Sequence, residues 1–205
     1  MVRLYLASSS PRRRELLARL GLPFTVLPVK VDEAIDVNRP PGRLVETLAA
    51  CKARAARVEE GLVIGADTIV VCGGRIFGKP RDAAEAISML SSLQGTSHEV
   101  YTGVAVRRVE DEFLAVGHEV TTVKFRPATK WEIDLYVATG EPMDKAGAYA
   151  VQGLGAIFVD HIEGCFFNVV GLPLARLNTL MKECGADILS LRKDLIDRGG
   201  IPRDD

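Results

Sequence analysis

Apolar residues recur along the chain with two different periods, and each change of period marks a strand or a helix. "RLYLA" is a short strand candidate, and "FTVLPV", residues Phe24 to Val29, is a second. Between them Ser10 and Pro11 read as the N-cap and first residue of a helix whose apolar stripe is Leu16, Leu17 and Leu20. The polar connection "KVDEAIDVNRPPGR" follows, with Pro40 and Pro41 stopping anything regular. From Leu44 to about Glu60 apolar residues return at helical spacing through Leu48, Cys51, Ala55 and Val58, which predicts a long amphipathic helix. "LVIGADTIVVC" is a continuous β-rich run, and Gly73-Gly74 predicts a tight turn into the strand "RIF".

Asp82 with Glu85 three positions on resembles a capping box and opens a helix from Ala83 to Leu93, with Ala83, Ile87 and Leu90 as its inner face. "HEVYTGVAVRRV" and "EFLAVGHEVTTVKF" read as two long strands joined around Glu110 and Asp111. Val100, Thr102, Val104 and Val106 make one face at period two. A helix from Lys130 to Thr139 ends at Gly140. "KAGAYAVQGLGA" is a Gly-rich loop, "IFVDHI" a strand, "LPLARLNTLMKEC" a core helix, and residues from about 185 onward a C-terminal helix and loose tail. Strands and helices interleaved with hairpins predict an α/β fold, a mixed twisted sheet flanked by helices, in one domain over residues 1–205.

Composition removes several classes of function. An apolar fraction of 47% against 26% charged is that of a globular protein, and no apolar run approaches the length of a membrane span. The net charge of -1 argues against a nucleic-acid partner, which would need a basic footprint. Cys51, Cys72, Cys165 and Cys184 show neither C-x-x-C pairing nor zinc-ligand spacing, so free thiols in a reducing compartment are expected. With no apolar signal-peptide core after Met1, the expected location is the cytoplasm.

Any positive charge that matters must therefore be local, and Arg12, Arg13 and Arg14 supply it. They crowd the first turn of a helix, where the macrodipole is already positive and each exposed cation costs about 0.3–1 kcal/mol. An anion reverses that cost, because free N–H groups and forked guanidinium donors converge on phosphate oxygens. Asp67 is the second anomaly, interrupting a strand that otherwise reads as buried. It is either a carboxylate hydrogen-bonded at a strand end or one facing a polar cleft as metal ligand or general base. Lys52 lies inside the apolar stripe bounded by Leu48 and Ala55, where it can snorkel or deliver an ammonium to phosphate. Glu33, in "VDEAID", could help to hold a divalent ion.

"GGRIFGKP" nearly spells a P-loop, but Pro80 stands where a metal-binding Ser or Thr is required and the next helix begins too late. Lys79 remains as a point charge at a strand end. Gln152, among the glycines of "KAGAYAVQG", offers both donor and acceptor to a ligand. His98, His118 and His161 lack ligand spacing, and no G-x-S-x-G elbow is present.

Taken in order, "LASSSPRRRELL", "LAACKARA", "GADTIVV", "GKP", "HEVYTGVAV", "KAGAYAVQG" and "NVVGLPL" resemble the Maf family of nucleotide pyrophosphatases from about Leu4 to Leu177. The resemblance implies an α/β fold similar to inosine triphosphate pyrophosphatases, with two lobes around a cleft. It implies cleavage of a nucleoside triphosphate to monophosphate and pyrophosphate, dependent on a divalent metal cation, Mg²⁺ or Mn²⁺. Arg12, Thr68 and Gln152 together look like the branch acting on dTTP and UTP. Matching motifs put Asp67 as proton acceptor, with Arg13, Lys52 and Lys79 near the phosphates. Asp67 and Glu33 are the candidate metal ligands. A homodimer is consistent with the resemblance, as are removal of modified nucleotides and the family's association with septum formation and cell-division arrest. A non-catalytic nucleotide-binding regulator would use the same pocket. The chain departs from the pattern at Cys165 and Phe166, where Ser and Tyr are expected.

Overall fold

The computed structural model describes residues 2–31 and 39–199, and its centre is a seven-stranded mixed sheet. The strands are β1 (Leu4–Leu6), β2 (Thr25–Val26), β3 (Leu62–Cys72), β4 (Arg75–Phe77), β5 (Ser97–Arg108), β6 (Phe113–Phe125) and β7 (Val159–Glu163). Their order is β2-β1-β3-β5-β6-β7, with β4 paired to β3. The β1 pairs with β2 and β3 are parallel, and the other pairs are antiparallel. The helices are α1 (Pro11–Ala18), α2 (Pro41–Ala55), α3 (Ala83–Leu93), α4 (Lys130–Ala138), α5 (Phe166–Val170), α6 (Leu174–Glu183) and α7 (Ile188–Asp197). This is the expected α/β architecture. No helix among the described residues is long and apolar enough to cross a membrane.

Side chains alternate across the long strands, so the sheet buries both faces. Val100, Thr102, Val104 and Val106 are all buried, as their period-two spacing requires. They face the main core with Leu6, Leu17, Ile64 and Leu177. Val63 and Ala105 face the opposite way, against Ala49 and Ala53 of α2. Here the helix backbone comes close. A methyl group at Gly65 or Gly103 would overlap the carbonyl oxygen of Ala49 or Val45, respectively. Gly65 therefore marks a close helix approach inside a regular strand.

Several boundaries differ from those expected. The α2 helix starts at Pro41 and stops at Ala55, where Leu44 to Glu60 was expected. Proline suits the first helical position because its missing N–H would have no partner there, so Pro41 opens the element. Its end is fixed from a distance: Arg107 of β5 donates to the carbonyls of Ala53, Arg54 and Ala56. The strand expected over Phe24 to Val29 pairs only at Thr25 and Val26. In α3, Asp82 accepts from Glu85 N, but the Glu85 carboxylate turns to Arg81, so only half of the capping box forms. That helix buries Ala86, Met89, Leu90 and Leu93 and packs a half-buried Ile87 against the core, while Ala83 is exposed. The complete capping box belongs to α4, between Thr129 and Glu132.

Candidate active site

The site begins with a break in the sheet. On one edge β3 is paired with β5 from Leu62 to Val71. On the other, β1 reaches only Ile64 and β4 takes over only at Val70. The edge from Gly65 to Ile69 faces no strand among the described residues. Beside it lies a cavity of about 460 Å³ lined by the Ser8–Arg13 segment, Lys52, Asp67, Thr68, Lys79 and residues 144–146 and 149–152, among others.

Asp67 points from β3 toward α2, on the same side as Gly65. The close packing at that glycine brings Lys52 Nζ to 2.6 Å from Asp67 Oδ1. Both side chains are nearly buried, at 11% and 12% exposure, so each ion offsets the other's desolvation. Thr68 projects to the opposite face. It meets Arg13 Nη2 at 3.0 Å and Thr102 Oγ1 at 3.0 Å. Arg13 Nε also donates to the Gly171 carbonyl at 2.8 Å. Thr102 in turn donates to the carbonyl of Asn168, whose own amide is buried against Val100 and Thr121.

The arginine cluster divides. Arg12 and Arg13 line the cavity, while Arg14 is exposed and outside its lining. Ser10 caps α1 by accepting from Arg13 N. Lys79 is exposed on the cavity rim just beyond β4, as a strand-end charge. Gln152 is exposed on the rim too, and its side chain has no hydrogen-bond partner among the described residues. Glu33 lies outside the described residues. Among those described, no group of three His, Cys, Asp or Glu side chains could hold a metal ion. Asp67 alone is a single carboxylate, which suits a hard cation that keeps most of its ligands from water and phosphate.

Reading the sequence missed a second tier of residues. Arg12 Nη1 pairs with Asp144 Oδ2 at 2.9 Å, and Lys145 donates to the same carboxylate and to the Glu141 carbonyl. Asp144 ends the 3₁₀ turn Glu141–Asp144, and Lys145 is the extended residue between it and the next turn, Ala146–Ala148, where no helical or strand period draws attention to them. Tyr149 also lines the cavity, with its hydroxyl 2.9 Å from the buried His98 Nε2. Burial holds His98 well below its ordinary range, at about 4. At the departing positions, Cys165 occupies the N-cap of α5 without a side-chain cap bond, and Phe166 is exposed.

Among the described residues lining the cavity, five cationic side chains (Arg12, Arg13, Lys52, Lys79 and Lys145) face two carboxylates, Asp67 and Asp144. A cationic cleft beside the interrupted edge of a mixed α/β sheet has the charge and shape to hold a small polyanion. The chain belongs to the Maf-like protein family, whose model matches residues 3–184. It is 54% identical over 190 residues to the dTTP/UTP pyrophosphatase of Moorella thermoacetica, covering 92% of this chain and 98% of that protein. It is 53% identical over 191 residues to the dTTP/UTP pyrophosphatase of Pelotomaculum thermopropionicum, covering 92% of this chain and all of that one. A third such enzyme, from Desulforamulus reducens, is 54% identical over 186 residues.

Proposed function

We propose that this chain hydrolyses dTTP and UTP to the nucleoside monophosphate and pyrophosphate. The observation that carries the reading is the excess of five cations over two carboxylates around one cavity, with a nearly buried acid at its wall. A triphosphate is the polyanion that matches such an excess, and the close relatives carry the same activity in their names.

Arg12, Arg13 and the α1 N-terminus bind and orient the phosphate oxygens, while Lys52 and Lys79 neutralise charge that develops on the departing pyrophosphate. Water attacks the α-phosphorus, its oxygen forms the new P–O bond, and the bond to the bridging oxygen breaks. Asp67 is the group placed to accept the proton. It is also the described residue that would hold a divalent cation, which when bound would offset phosphate charge. Thr68, fixed between Arg13 and Thr102, and Gln152 on the rim line the cavity, which supports a role for both in holding the substrate. Uracil and thymine present an acceptor, donor, acceptor edge that the Gln152 amide matches in part.

Purified protein incubated with a panel of nucleotides, with Mg²⁺ and then with chelator, tests the reading by its products. Monophosphate and pyrophosphate from UTP and dTTP are expected. Diphosphate with orthophosphate, or binding without release, would overturn it. Full activity in Asp67→Asn would displace the proposed centre.

A further inference from the structure

We propose that Glu141 is a positioning residue for base selection, acting through the loop that carries Gln152. The inference rests on the assignment of Gln152 to base recognition made above.

Gln152 has no side-chain hydrogen-bond partner among the described residues, so the position of its backbone is what sets the region its amide can reach. That backbone is held at both ends by one acid and one phenol. Glu141 Oε2 accepts from Leu154 N at 3.0 Å, and Oε1 accepts from Gly155 N at 3.0 Å. Oε1 also accepts from the Tyr136 hydroxyl at 2.8 Å, and the Tyr136 oxygen accepts from Ala150 N at 3.2 Å. Amides on either side of Gln152 thus converge on a single pair of side chains.

The two glycines that follow Gln152 are explained by the same contact. Gly153 has an ordinary negative φ of -117°, and Gly155 is not among the positive-φ glycines, so neither is needed for backbone freedom. They are needed for space. A Cβ at Gly153 would lie 2.5 Å from Glu141 Oε2, and one at Gly155 would lie 2.7 Å from the Tyr136 hydroxyl oxygen. The carboxylate and the phenol occupy the room that side chains would take. Burial pushes the Glu141 carboxyl up, but the amide and phenol donors outweigh it and hold the group ionised below its usual range. Tyr136 is raised by burial and then by the carboxylate, and so remains a donor.

Glu141 is not itself in the cavity lining, and its contact with the lining Lys145 is made by its backbone carbonyl, which a substitution retains, so loss of the carboxylate acts through the loop. The test compares wild type, Glu141→Gln and Tyr136→Phe in steady-state hydrolysis of UTP, CTP and GTP. Glu141→Gln sets an amide NH₂ against a backbone donor. Tyr136→Phe keeps the ring in the core and removes only the hydroxyl, so it serves as the folded control. Both variants are expected to lose about tenfold of the wild-type preference for UTP through KM, with kcat for UTP within about threefold of wild type. Equal discrimination in wild type and in folded Tyr136→Phe and Glu141→Gln overturns the role of Glu141 alone. A wild type that treats the three nucleotides alike overturns the assignment of Gln152 and this inference with it.

Discussion

Arg12 and Asp144 meet across the mouth of the cavity, Nη1 to Oδ2 at 2.9 Å and Nη2 to the Asp144 carbonyl oxygen at 3.2 Å. The contact ties the first turn of α1 to the 3₁₀ segment that leads to Gln152. Asp144 is more than half exposed, so the pair contributes only about 0–1 kcal/mol to stability. On the proposed reading, it holds a flexible guanidinium where the triphosphate binds.

Arg12→Ala should therefore separate binding from folding. The melting temperature is expected to fall by no more than about 2–4 °C for a chain of this length. KM for UTP should rise about tenfold or more, as loss of a charge-assisted hydrogen bond worth about 1.5–3 kcal/mol requires. Calorimetry beside steady-state kinetics checks both.

Lys52 and Asp67 should behave in the opposite way. Removing Lys52 with Lys52→Met strands a nearly buried carboxylate and should cost about 1–3 kcal/mol in urea unfolding as well as activity. The double variant Lys52→Met with Asp67→Leu should regain most of that stability and none of the activity. Additive losses in the double variant would mean that the two groups do not form the coupled unit their 2.6 Å separation describes.

Packing at Gly65 makes a related claim. Gly65→Ala places a methyl group against the α2 backbone at Ala49 and Ala53, one turn from Lys52. Overpacking of this kind costs about 1–3 kcal/mol, and hydrolysis should drop because the helix carries the ammonium with it. An unchanged rate would show that α2 yields without moving Lys52.

Gln152→Ala should lower the preference for UTP over GTP while changing inhibition by pyrophosphate little. Pyrophosphate has no base, so its inhibition constant reports the cationic part of the cavity alone. An unaltered preference would remove Gln152 from base selection.

Acid should destabilise the fold through His98. Its pKa is lowered by burial from 6.5 to about 4, so between those values the unfolded chain binds a proton that the folded chain refuses. Stability then falls as pH drops from about 6.5 toward 4, by at most about 1.4 kcal/mol per pH unit, and this contribution levels off below. His98→Leu should flatten that part of the pH profile in urea titrations.

Much of this was legible in the residues, for identifiable reasons. The three arginines stood out because a helix N-terminus disfavours cations, and Asp67 because an acid interrupts a buried strand. Arg12, Arg13 and Asp67 line one cavity in the structure, as do Lys52, Lys79, Thr68 and Gln152, while Arg14 does not. What escaped notice depends on distance in the chain. Arg107 ends α2 by reaching carbonyls more than fifty positions away, and nothing local to Ala55 announces it. Glu141 and Asp144 lie in a 3₁₀ turn and Lys145 in the extended link to the next, and neither imposes an apolar repeat. Pro41 misled because proline both stops a regular segment and opens a helix, and its neighbours do not say which.

The interruption along β3 gives the molecule a cleft made by omission. Because β1 halts opposite Ile64 and β4 resumes opposite Val70, the depth of the pocket is governed by how far two short ribbons fall short of each other. Lengthening either ribbon by a few residues would close the opening with ordinary ladder bonds, and for β1 it would also consume the short segment that sets α1 beside the cavity. The address of the chemistry is thus written in segment lengths, and a graft that reproduced the charges without the shortfall would have nowhere to put a substrate.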